Sequence, residues 1–139
     1  YGRDDVENVK RQLIRYEGLK LQVYKCPAGY QTIGVGRNLE SKGISEKEAM
    51  VLLDNDIAEF TFALEETYDW FEDLSENRQA VIINMAFNLG MSGFGKFKNM
   101  ISAIENSDWE EAASQMMDSK WATQVGRRAE ELSEAMKEC

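Results

Sequence analysis

The chain has 139 residues, 43% of them hydrophobic and 29% charged, with a net charge of −9. That length supports one hydrophobic core without disulfide staples, the composition argues against disorder, and the acidic balance argues against a nucleic-acid partner. Histidine is absent, which removes Ser-His-Asp and Cys-His catalysis and nearly all ordinary zinc sites, so any chemistry must use carboxylates, hydroxyls, a thiol, or lysine and arginine.

Val6, Val9, Leu13 and Tyr16 recur at spacings of three and four, which predicts a first helix with one apolar face. Asp4 or Asp5 can cap its start and Gly18 stops it. Glu17 then closes the last turn. The pattern next changes to alternation at Leu21 and Val23 and again at Ile33 and Val35. Cys26-Pro27-Ala28-Gly29 supplies the turn, since Pro27 presets its φ and Gly29 accepts positive φ. The expectation is an antiparallel hairpin of Lys20–Tyr24 against Tyr30–Val35. Gly34 and Gly36 leave room for close approach by a ligand or another backbone.

From Ser45 onward the chain reads as helical. Ser45-Glu46-Lys47-Glu48 is a capping box that opens a long helix with Ala49, Leu52, Leu53, Ile57, Phe60 and Leu64 on one face. Ser75 starts another helix, apolar on nearly every side from Ala80 to Leu89 and so expected at the centre of the core, broken by Gly90, Gly93 and Gly95. Phe97, Met100, Ile101 and Ile104 mark a short helix. Ser107-Asp108-Trp109-Glu110 reads as a second capping box, before a helix with Trp109, Ala112, Ala113 and Met116 inward. A last helix is expected from about Gln124 to near the C-terminus, carrying Ala129, Leu132 and Met136. No apolar run is long enough to span a membrane, and no signal peptide is visible, although the chain begins at Tyr1 rather than Met.

Charge is uneven. Residues 1–37 hold seven Lys/Arg against four Asp/Glu, and the rest hold nine against twenty-one. The plain reading is a solvated acidic surface; the functional one is an N-terminal part that meets an anionic polymer. The two cysteines, Cys26 and Cys139, do not make a metal cluster or a disulfide framework.

The segment Glu17 to Gly36 places a carboxylate at a helix end, a thiol at a turn and a hydroxyl on the returning strand. A helix C-terminus carries partial negative charge, which disfavours a carboxylate anion. Partial burial would act in the same direction, and a general acid needs its proton. This segment resembles the catalytic signature of phage-type lysozymes, the muramidase endolysins of tailed bacteriophages: Glu, eight residues, Asp or Cys, five residues, Thr. Here these are Glu17, Cys26 and Thr32. Thr32-Ile33-Gly34-Val35-Gly36, Ile83 through Gly90, Trp109 through Ala113, and Trp121 through Ala129 extend the resemblance over most of the chain.

The resemblance implies an α+β, mainly α, two-lobed domain. Its small lobe is a hairpin at about 15–45. Its helical lobe comprises about 65–139 plus the N-terminal helix, with a long helix joining the lobes and the active cleft between them. It implies that Glu17 protonates the glycosidic oxygen between N-acetylmuramic acid and N-acetylglucosamine in peptidoglycan, while Cys26 and Thr32 handle the attacking water. Arg128 would orient Glu17; Phe87 and Gln115 would line the glycan cleft. Read on their own, Phe87 belongs in a core and Gln115 on a solvated face. Cys26 stands where aspartate is commoner, and pairing with Cys139 would switch the enzyme off. Arg37 stands where histidine is common. No cofactor or metal is implied. The expected partner is the glycan strand. The expected setting is a monomer of phage origin in the host periplasm or cell wall, or attached to the virion. The rival expectations are a non-catalytic wall-binding or virion structural module of the same fold, and a glycosidase of chitin-like polymers.

Overall fold

A computed structural model describes residues 3–138. It is mainly helical, with seven helices and one three-stranded antiparallel sheet among the described residues. Two compact units result, divided between Val51 and Leu52.

The first unit begins with α1 (Arg3–Glu17). Arg3 is already helical, so Asp4 and Asp5 lie within the described helix rather than at its cap. Gly18 ends the helix at φ +81°, its amide donating to the Ile14 carbonyl at 2.8 Å. The sheet has β1 (Lys20–Lys25), β2 (Gln31–Gly34) and β3 (Arg37–Asn38), in that order. The hairpin is as expected, with Tyr24 opposite Thr32 and Lys25 opposite Gln31. The second strand is shorter than Tyr30–Val35, because Gly34 turns to φ +69° and Val35 enters a turn. The third strand was not anticipated: two residues are too few to show alternation. Register is broken between Lys20 and Tyr24, and Leu21 and Val23 are 80% and 53% exposed. Their alternation therefore marks a strand without marking a buried face. Thr32, on the central strand, is the one buried residue among those described in this unit.

The capping box at Ser45 forms as expected. Glu48 N donates to Ser45 Oγ at 3.1 Å, and Ser45 N donates to Glu48 Oε1 at 2.8 Å. It opens α2 (Glu46–Thr67), within which the unit boundary falls.

The second unit holds α3 (Glu76–Gly95), α4 (Lys98–Glu105), α5 (Trp109–Met117), α6 (Lys120–Val125) and α7 (Arg127–Lys137). Ser75 caps α3, accepting from Arg78 N. Of the three glycines expected to break it, only Gly90 leaves helical geometry (φ 77°, ψ 162°). Two further expectations need correction. Ser107 is not the cap of α5: it sits at φ +56°, and Asp108 accepts from Glu111 N at 3.2 Å instead. The last helix is two, divided at Gly126, whose φ +57° and ψ −116° no helix interior adopts. Leu64, Ile82, Met85, Phe94, Met100, Ile104, Met116 and Met136 are fully buried. Each such side chain contributes roughly 1.5–3 kcal/mol by leaving water.

Candidate active site

Glu17 is the final residue of α1. Its side chain is exposed. The carboxylate lies against the α-carbon of Gly36: a β-carbon built on Gly36 would collide with Glu17 Oε2 and sit 3.1 Å from Cδ. Gly36 also has φ +67°. The left-handed backbone asks for glycine, and any side chain here would displace the Glu17 carboxylate.

Cys26 opens the β1–β2 turn. Its amide donates to the Tyr30 carbonyl at 3.0 Å, and Gly29 N donates to the Cys26 carbonyl at 2.8 Å. The Cys26 thiol is held below its ordinary value, chiefly by the backbone hydrogen bond from Tyr30. Burial opposes this, and the backbone at Ala28, the Thr32 hydroxyl and the backbone at Gly29 add to it. A hydroxyl has one proton to give. Thr32 Oγ1 donates it to the Tyr30 carbonyl at 2.8 Å, so the backbone amides carry most of the support for a thiolate. The thiol is free; Cys139, its suggested partner, lies outside the described residues.

The first unit therefore brings Cys26 and Thr32 together on one hairpin. It sets the Glu17 carboxylate on the glycine turn that follows the Thr32 strand. Arg37, next in the chain, forms an ion pair. It binds Glu48 through both carboxylate oxygens, at 2.9 and 2.8 Å, and the Gly43 carbonyl at 3.1 Å.

The other three residues lie in the second unit. Arg128 donates through Nε and a terminal nitrogen to Asn84 Oδ1 at 2.9 and 2.6 Å. Phe87 is 41% exposed and stands 5.6 Å from the Phe60 ring, centroid to centroid. Arg128, Asn84 and Phe87 line a groove of about 370 Å³ with Leu53 and Ile57. Gln115 lines other, smaller depressions near Asn99 and donates to Glu111 Oε1 at 2.8 Å. Phe87 is thus a partly exposed wall of a groove rather than interior filling.

Sequence reasoning missed Asn84 and Asn88. They stand one helical turn apart in an apolar helix, and both reach later helices: Asn84 to Arg128, Asn88 to the Trp121 indole at 2.7 Å. Two amides at a spacing of four, in a stretch otherwise apolar, were the available signal.

Comparison with known proteins gives a match to the phage lysozyme family model over residues 14–137. The chain is 30% identical to "Probable T4-type lysozyme 2" of Dictyostelium discoideum, over 89% of this chain and 90% of that protein. It is 32% identical to an "Endolysin" of Acyrthosiphon pisum secondary endosymbiont phage 1, over 78% of this chain and 73% of that protein. It is also 28% identical to "Pre-baseplate central spike protein Gp5" of Enterobacteria phage T4, over 94% of this chain but 28% of that much longer protein.

Proposed function

This chain belongs to the phage lysozyme family, and on that footing we propose that it hydrolyses the glycosidic bond between N-acetylmuramic acid and N-acetylglucosamine in bacterial peptidoglycan, with Glu17 as general acid. The observation that carries the reading is the Glu17 carboxylate seated on Gly36, in the turn leaving the strand of Thr32, whose hairpin also carries Cys26. Glu17 gives its proton to the leaving oxygen. Water attacks the anomeric carbon from the opposite face, oriented or deprotonated by Cys26 and held by Thr32. Inversion needs roughly 6.5–9.5 Å between acid and base to admit that water. A thiolate carries the negative charge that aspartate would supply, and the backbone hydrogen bonds of the turn favour that form. Arg128, Phe87 and Gln115 act in this reading as support for the acid and as walls for the glycan. The site of action is the host cell wall, approached by a phage-encoded monomer.

Purified chain is expected to release new reducing ends from peptidoglycan, and Glu17→Gln to abolish release while circular dichroism stays unchanged. Equal release by both proteins would remove Glu17 from the mechanism. The likeness to a phage spike protein favours one second reading, a wall-binding virion module without catalysis; it predicts wall binding, no reducing ends, and indifference to Glu17→Gln.

A further inference from the structure

We propose that Arg37 is a positioning residue for Glu17: its ion pair with Glu48 holds in place the Val35-Gly36 turn on which the Glu17 carboxylate rests. The inference builds on the reading of Glu17 as the general acid.

The turn has little stiffness of its own. Gly34 and Gly36 both adopt positive φ, +69° and +67°, and glycine is the residue with most backbone freedom to lose. The strand that follows is only Arg37–Asn38, paired through Ile33–Arg37 and Thr32–Asn38. Two-residue ladders are marginal without help. Help comes from the first residue after the turn. Arg37 spends one terminal nitrogen on the Gly43 carbonyl and Glu48 Oε1, and the other on Glu48 Oε2 at 2.8 Å. Such a two-pronged guanidinium–carboxylate contact fixes direction as well as distance. Glu48 is itself held, since its Oε1 accepts from Ser45 N at the start of the 22-residue helix α2. A rigid helix end is thereby tied, through Glu48 and Arg37, to the residue next to Gly36. Freed from that tie, the glycine turn can shift, and the surface that sets the position of Glu17 Oε2 shifts with it.

Lysine at position 37 could reach one carboxylate oxygen but not reproduce the fork. Glu48→Gln keeps an acceptor for Ser45 N while removing the charge, so the helix cap survives. The test compares native chain, Arg37→Met, Arg37→Lys and Glu48→Gln on soluble glycan fragments of peptidoglycan. It also measures amide hydrogen exchange at Gly36 and the carboxyl NMR signal of Glu17. Arg37→Met and Glu48→Gln are expected to lower kcat about tenfold with KM changed less than about twofold, as misplacement of a reacting group does. Arg37→Lys should recover part of the loss, and Gly36 exchange should quicken in step with it. A folded Arg37→Met with native kcat, or a loss carried wholly by KM, would overturn the proposal. If the native chain releases no reducing ends, the glycosidase reading fails by itself. Positioning is then judged on Gly36 exchange and the Glu17 signal: movement of both in Glu48→Gln supports it, and no movement overturns it.

Discussion

At the scale of single residues, the site depends on small groups in fixed places. Gly36 faces the Glu17 carboxylate at a positive φ. Gly36→Ala is expected to cost about 1–2 kcal/mol of stability from backbone strain alone. Its methyl group meets the movable end of Glu17, so the fold survives and the acid is displaced. Reducing-end release should then fall by about tenfold to a hundredfold; native activity in a folded Gly36→Ala would show that the contact is incidental. Cys26 gives a second test. Its thiol is lowered first by the Tyr30 amide, and less by the backbone at Ala28, the Thr32 hydroxyl and the backbone at Gly29. The pH at which Cys26 alkylation half-saturates, followed by peptide mass spectrometry, is expected to lie below that of the unfolded chain. Thr32→Val should raise it slightly without restoring the unfolded value. An inflection equal to that of the unfolded chain would mean the turn amides do not support a thiolate.

At the scale of elements, charge is used to join strand to helix. Arg37, at the head of β3, and Glu48, in the first turn of α2, are both partly exposed. Glu48 is held down to about 2 from an ordinary value of 4.5, first by the Arg37 hydrogen bond and then by the hydrogen bonds at Ser45. A carboxyl depressed on folding stabilises above its unfolded pKa, and that contribution is lost as pH falls through the folded one. The melting-temperature gap between native chain and Glu48→Gln should therefore stay constant from pH 7 to about 5 and close by about pH 2. A gap that persists at pH 2 would assign it to packing rather than to charge. High salt should narrow the neutral-pH gap, because a partly exposed pair is screened.

At the scale of the whole molecule, distant parts of the chain are joined by a few polar side chains set among apolar ones. Arg78 is 6% exposed; its Nε donates to the Met136 carbonyl at 2.7 Å and a terminal nitrogen to the Lys137 carbonyl at 3.0 Å. Its guanidinium also lies 3.9 Å from the centre of the Trp109 ring. It thus secures the end of α7 to α3 and α5. Arg78→Ala strands two carbonyls and uncovers the indole, and should lower unfolding free energy by about 3 kcal/mol, seen as a lower urea midpoint at unchanged slope. A loss under about 0.5 kcal/mol would return the arginine to the class of ordinary surface residues. Local order in the chain determined much of this protein. Apolar spacing, Ser45 and Ser75 as caps, and the Cys26–Gly29 turn depend on neighbours in sequence, and so helices and hairpin could be read before any coordinates; the Glu17–Cys26–Thr32 set rests on its resemblance to the phage-type lysozyme signature, not on local order. Contacts over tens of residues are different, because spacing carries no record of which distant group a side chain will meet. Only tertiary structure could decide that Glu17 would lie exposed upon Gly36, that Arg37 would find Glu48, that Asn84 would hold Arg128, and that the last helix would begin at Arg127 rather than about Gln124.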